Sequence, residues 1–171
     1  MGLTWDCVDF DHGIITVNKQ LQHNRSTGEY SLAPTKNSKG RTITTASFVM
    51  TLLKQHHAAQ AKERLFAGSA WVESNFVFTD PLGNHLKHWT PYRAFKRAAA
   101  AIGRPDARFH DLRHSYAVAA IRSGDDIKTV QGNLGHATAS FTLDVYGHVT
   151  DQMKQASAAR MDAYIKQVKD G

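Results

Sequence analysis

One cysteine, Cys7, stands in 171 residues, so an internal disulfide is impossible and a cysteine-built zinc site is excluded. A reducing, cytoplasmic setting suits such a chain. No uninterrupted apolar run approaches the roughly 20 residues of a membrane span. The first ten residues carry Asp6 and Asp9 and lack the basic-then-apolar layout of a signal peptide. Acidic side chains are the minority, 15 against 21 Lys and Arg, giving a formal charge of +6 and a pI near 9.5. That balance suits a polyanionic partner, because Lys and Arg contacts to phosphate release counterions. A phosphate-binding glycine loop, internal repeats, low-complexity tracts and interdomain linkers are also missing. One domain with no nucleotide cofactor and no metal is expected.

What is present reads as a globular α+β chain, 42% hydrophobic and 21% charged. Gly13 to Lys19 is rich in β-branched residues, as in a strand, and Tyr30 to Ala33 and Arg41 to Thr45 read as two more. Between the last two lies the polar stretch Pro34 to Gly40 with Lys36 and Lys39, an exposed basic hairpin tip or simply a solubilising loop. From Ser47, a candidate N-cap, Phe48, Val49, Leu52 and Leu53 recur at helical spacing, followed by a polar extension to Arg64. Phe76–Val77–Phe78 reads as a strand ended by a turn at Asp80 to Gly83. Thr90–Pro91 opens a helix through Ala101, with Arg93, Lys96 and Arg97 facing solvent or phosphate and Gly103 past its end. The last third is almost wholly helical: His110 to Arg122, then Asp125–Asp126 to a break at Gly132 to Gly135. Thr138 to Val145 and Asp151 to Lys169 follow. The expected fold class is mainly helical with a small antiparallel β-sheet near the N-terminus.

Three segments belong together. In His110-Asp111-Leu112-Arg113, positions i and i+3 share a helix face, so His110 and Arg113 can enter one site while Leu112 packs inward. Gly135 before His136 permits a sharp turn and a close backbone approach. Tyr146 follows Phe141, Leu143 and Val145 and precedes Gly147, at a helix end. Singly, each is commonplace: a His-x-x-Arg pair arises by chance, and a tyrosine at a helix end is usually half-buried packing. Their order and spacing carry the weight.

The run Phe109-His110-Asp111-Leu112-Arg113-His114-Ser115-Tyr116-Ala117 resembles the second active-site box of tyrosine recombinases, the phage-integrase family. Leu134-Gly135-His136-Ala137-Thr138, with Thr142-Leu143-Asp144-Val145-Tyr146-Gly147-His148-Val149, resembles the final box. Pro34 to Ile43 is similar to the catalytic-lysine hairpin, and Gly2 to Asp9 to the segment following the first catalytic arginine. The resemblance implies a tyrosine-recombinase catalytic domain over residues 1–171. It would start past that first arginine and lack the N-terminal DNA-binding domain, so the isolated chain should bind DNA weakly and cleave poorly.

The implied activity is site-specific DNA recombination, integration or excision, through a 3′-phosphotyrosine intermediate. In that reading Tyr146 is the nucleophile, Arg113 holds the non-bridging phosphate oxygens, and His110 assists proton transfer. His136 hydrogen-bonds the phosphate, and Lys36 protonates the departing 5′-oxygen, with Lys39 the alternative. Lys36, Lys39, Arg41, Arg113 and His114 would contact DNA. The chemistry is coherent: a free phenol has a pKa of about 10 and needs a base or cations to attack at neutral pH. A guanidinium fork stabilises the extra charge on phosphorus, typically by about 3 kcal/mol. The ester energy stays in the protein–DNA bond, so no cofactor is called for. The partner is double-stranded DNA, with a tetramer on DNA in the full-length protein and a monomer for the isolated domain. The setting would be cytoplasmic, bacterial or phage-encoded, and away from membranes. Three rivals share some of these residues: a catalytically inactive DNA-binding remnant, a strand-nicking topoisomerase, and a metal hydrolase built on His110 and His114. The tail helix has Met153, Ala156, Met161, Tyr164, Ile165 and Val168 for an apolar stripe, which could pack on its own core or on a neighbouring protomer.

Overall fold

The computed structural model describes residues 2–24, 26–35, 40–135 and 151–169, except the side chains of 151–153. The fold is α+β, mainly helical with small antiparallel sheets near the N-terminus, as expected. Two compact units divide the chain, residues 1–109 and 110–171. No described helix is long and apolar enough to cross a membrane.

The first unit holds five strands: β1 Val8–Asp9, β2 Ile14–Val17, β3 Lys19–His23, β4 Tyr30–Pro34 and β5 Arg41–Thr44. β2 lies between β1 and β5, both antiparallel to it, with Val17 opposite Arg41. β3 pairs separately with β4, Lys19 opposite Pro34 and His23 opposite Tyr30. This corrects the expected hairpin. β4 and β5 do not pair with each other; they pair with β3 and β2, on either side of Asn18. The tight tip is Asn24 to Glu29, closed by Asn24 N donating to Glu29 O (2.8 Å) and Gly28 N to Asn24 O (2.8 Å). Gly28, at φ +74°, supplies the left-handed residue this reversal needs. The polar stretch after Pro34 links β4 to β5, and residues 36–39 of it lie outside the described residues. Thr35 N donates to Asn18 O (3.2 Å) at its start.

Helix α1, Ser47–Ala67, packs on the three-stranded sheet. Ser47 is its first residue rather than its cap; Ala46 holds the cap position, with no side-chain bond. The buried stripe also differs from the expected one. Met50 and Leu53 are buried with Val8 and Val77, whereas Phe48 is 69% and Leu52 48% exposed. The stripe continues at 3–4 spacing through His56 to Gln60, so polar residues face the core in the half that looks like a surface extension. Gln60 is buried and accepts from Trp5 Nε1 (2.7 Å). Its amide nitrogen donates to Thr79 Oγ1 (2.9 Å), Phe76 O (3.2 Å) and Val77 O (3.3 Å). Those carbonyls belong to the expected strand Phe76–Phe78, which makes one bridge, Thr4 with Phe76, rather than a ladder. The helix side chains Gln60 and His56 meet its carbonyls, and Val77 N donates to Leu3 O (3.0 Å).

The turn after it forms as expected. Asp80 Oδ1 accepts from Leu82 N and Asn84 N, both 2.9 Å, and Gly83 takes φ +83°. Helix α2, Trp89–Ala101, follows, with Pro91 in its first turn where an absent N–H is harmless, and ends before Gly103.

The second unit contains α3 Asp111–Ser123, α4 Ile127–Leu134 and α5 Asp151–Lys169. Gly124 at φ +107° ends α3, and the Asp126 carboxylate caps α4 by accepting from Thr129 N (2.9 Å) and Thr129 Oγ1 (2.5 Å). These bonds hold the Asp126 carboxyl below its ordinary range, the side-chain bond from Thr129 first. Ala117, Ala120, Ile121 and Val130 are the buried contacts between α3 and α4, with Leu134 packed against them. The small alanines let the two helices lie close. The expected helix Thr138 to Val145 falls outside the described residues.

Candidate active site

His110 occupies the N-cap position of α3, and Arg113 lies within its first turn. The inward stripe Ala117, Ala120, Ile121 runs back four residues to Arg113, which is half-buried. Its guanidinium Nη2 donates to the Leu134 carbonyl, the last residue of α4 (2.5 Å). The two boxes are therefore physically joined: Arg113 of the first reaches the backbone immediately before Gly135 of the second. Gly135, at φ +65°, then turns the chain out of α4 in a left-handed conformation that favours glycine.

The expectation for Leu112 fails. It is 50% exposed, because the inward face is set by Arg113 and the alanines, and Leu112 sits about 100° round the helix from Arg113. Its neighbour one turn on, Tyr116, is also exposed. The His110 and His114 rings meet edge to face, 5.3 Å between centroids, with His114 half-buried. Among the described residues no group of three His, Cys, Asp or Glu is placed to hold a metal ion. Tyr116, part of the first box but without a role in the implied chemistry, accepts from Asn133 Nδ2 (2.9 Å) and forms a second bond between α3 and α4.

Arg41 begins β5, half-buried opposite Val17. Lys36, Lys39, His136 and Tyr146 lie outside the described residues, so their meeting with Arg113 is not part of the geometry. The flanks of the lysine stretch are described. Gly40 lies against Asn18, where a Cβ would come within 3.2 Å of the Asn18 Cβ.

A basic surface stands on α2. From Pro81 to Pro105 there is no acidic residue and there are five Lys or Arg. Arg93 and Arg97 are exposed and share a shallow groove with Trp89 and Tyr92. Lys96 departs from expectation: its ammonium is bonded to the carbonyls of Pro105 and Ala107, which tie the following loop to the helix. Lys87 sits over the Trp89 ring, 5.3 Å from its centroid.

The sequence profile of the phage integrase family matches residues 1–153. A tyrosine recombinase XerC-like protein of Caldanaerobacter subterraneus is 31% identical over 165 residues, 90% of this chain and 42% of that protein. An integrase/recombinase of Escherichia coli is 52% identical over 87 residues, 46% of this chain and 25% of its own length. Among solved structures, the Tn1549 transposon integrase in complex with transposon right end DNA is similar, with a TM-score of 0.71 at 22% identity, over 94% of this chain and 53% of that one. The XerA recombinase follows with a TM-score of 0.62 at 21% identity, over 93% and 50%. At such identities the structures speak for the fold alone, and the chain spans less than half the length of these two curated relatives. With the profile covering all but the last 18 of 171 residues, the chain belongs to the phage integrase family.

Proposed function

We propose that the protein is a tyrosine-type site-specific recombinase, cutting and rejoining duplex DNA through a 3′-phosphotyrosyl bond to Tyr146, and that residues 1–171 are its catalytic domain. The observation that carries this reading is the bond from Arg113 to the Leu134 carbonyl in a chain of this family. It brings a guanidinium to the turn that leads into His136. A phosphate placed there would meet the guanidinium fork, and this reading gives it the His136 imidazole as a second partner.

The roles follow from charge. Tyr146 attacks phosphorus and loses its proton; the P–O5′ bond breaks, and Lys36, or Lys39 in its place, returns a proton to the leaving oxygen. Arg113 and His136 stabilise the non-bridging oxygens as negative charge grows, and His110 assists the proton transfer. The duplex is held electrostatically. On this reading Lys36, Lys39, Arg41, Arg113 and His114 contact the DNA, and the acid-free stretch Pro81 to Pro105, with Arg93 and Arg97 exposed, offers further basic charge. Self-association on DNA is supported by α5: every described side chain from residue 154 to 169 is exposed, including Met161, Tyr164, Ile165 and Val168. An apolar stripe left in solvent is a docking face for a second copy.

The test is covalent trapping on a duplex carrying the recombination site and a nick beside the scissile phosphate, so that the cleaved strand diffuses away. A protein–DNA adduct should survive denaturing electrophoresis in the wild type, vanish in Tyr146→Phe and fall by two to three decades in Arg113→Ala, as roughly expected when one transition-state interaction is removed. An adduct that persists in Tyr146→Phe would overturn the assignment. Unchanged DNA retention with no adduct in any variant would support the inactive remnant instead.

A further inference from the structure

The end of α4 is held against α3 at two points. One is the guanidinium of Arg113 on the Leu134 carbonyl, and the other is Asn133 Nδ2 on the Tyr116 hydroxyl at 2.9 Å. Tyr116 stands one turn after Arg113, and Asn133 one residue before Leu134. Beyond them, toward the Gly124 end of α3, lies the packing of Ala117, Ala120 and Val130. On the functional reading above, Arg113 shares its five N–H donors between the Leu134 carbonyl and the phosphate, so its hold on the helix end changes when phosphate binds. The phenol–amide bond is not shared in this way: neither group carries charge, and neither is required by the proposed chemistry.

We propose that Tyr116 and Asn133 are positioning residues. They hold the last turn of α4 against α3, and with it the Leu134 carbonyl that fixes the aim of the Arg113 guanidinium while Arg113 engages phosphate. This rests on the functional reading above, in which Arg113 and His136 bind one phosphate. The pair contributes through preorganisation: without it, the guanidinium must serve as brace and ligand at once, and phosphate binding competes with the Leu134 bond.

The experiment uses the full chain with inorganic phosphate as probe. Amide hydrogen exchange at Leu134 and Gly135 is measured together with the NMR response of the Arg113 Nε–H to phosphate. In Tyr116→Phe and Asn133→Ala, exchange at those two amides should quicken and apparent phosphate affinity should fall about five-fold, the worth of one neutral hydrogen bond. The double variant should be no worse than either single one. A melting temperature within a degree or two of wild type separates this from general loosening. Unchanged exchange overturns the proposal. So does faster exchange with unchanged phosphate affinity, which makes the pair a structural brace only. Arg113→Ala is the separate control: if it leaves the phosphate response intact, the functional reading fails and the positioning role falls with it. If Arg113→Ala abolishes the response and Tyr116→Phe does not alter it, the positioning role alone fails.

Discussion

Replacing Gln60 with leucine is the sharpest test of how the first unit is held together. Gln60 is only 6% exposed, at the centre of α1's inward face. Its carbonyl oxygen accepts the Trp5 indole N–H at 2.7 Å, and its two amide hydrogens serve Thr79 Oγ1 and the carbonyls of Phe76 and Val77. Leucine keeps most of the volume and satisfies none of these groups. Val77 O retains a bond from His56 Nε2 at 2.6 Å, so it is not orphaned. The Trp5 N–H and the Phe76 carbonyl lose this partner in a part-buried setting, at roughly 1–3 kcal/mol each, and the Thr79 bond adds about 1 kcal/mol. The sum is about 3–7 kcal/mol, or roughly 10–20 °C in melting temperature for the middle of that range in a chain of this size. Urea unfolding followed by tryptophan fluorescence suits the test, because Trp5, Trp71 and Trp89 all lie in the first unit. The midpoint should fall with the slope unchanged. Lys62→Ala, an exposed change on the same helix, should stay within about 0.5 kcal/mol. If Gln60→Leu also stays within that margin, the polar stripe is not what fastens α1.

Gly83→Ala should be severely destabilising: at φ +83° its Cβ would lie 2.4 Å from Val72 O and 2.8 Å from Trp71 Cε2, and a loss above about 2 kcal/mol is expected in the same assay. His12 Nδ1 lies 2.7 Å from Asp9 Oδ2, a bond that raises the imidazole above its ordinary 6.5, while bonds from the His12 backbone and ring lower the Asp9 carboxyl below 3.8. Any stability from the His12 shift is complete below 6.5 and fades as pH rises through the raised value. That from Asp9 is complete above 3.8 and fades as pH falls through the lowered one. By NMR, Asp9→Asn should bring the His12 midpoint back toward 6.5, and an unmoved midpoint would contradict the pairing. Asp126→Ala removes the α4 cap and should speed amide exchange at Thr129, whereas Asp126→Asn, still able to accept, should largely preserve it. Arg93→Ala with Arg97→Ala should weaken DNA binding and flatten the salt dependence by about 0.9 in log–log slope for each phosphate no longer neutralised. An unchanged slope would remove α2 from the DNA-facing surface.

Much of the helical half was legible because its signals are local. Asp126 as a cap, Gly124 and Gly135 as left-handed stops, and the Asp151–Lys169 limits of α5 follow from turn and capping chemistry that needs no partner. What could not be read depended on distant residues. Phe48 and Leu52 look like core and are exposed, because Gln60 and His56, not the apolar residues, face the carbonyls of the 76–79 segment. Tyr30 to Ala33 and Arg41 to Thr45 look like a hairpin because they are neighbours in sequence. Their true partners, β3 and β2, are given by a register that no short window contains. At the site, the boxes marked Arg113 and Gly135, but the fastening of one to the other runs through a main-chain carbonyl, and carbonyls have no letter in the sequence. Leu112 misleads for the converse reason: a leucine attracts a core assignment, while an arginine on the inward face does not.

The ribbon carries a consequence for how this chain can vary. Side chains on a strand alternate, so one residue added within β3, between Lys19 and His23, would turn the residues on one side of it to the opposite face and break their match with β4. Residues added between Thr35 and Gly40 would disturb neither ladder, since the β3–β4 ladder ends at Pro34, before that stretch, and the β2–β5 ladder begins at Arg41, after it. The stretch between the two ladders can therefore be lengthened or shortened by insertion and deletion while both ladders keep their pairing, which makes this the natural place to graft a reporter peptide.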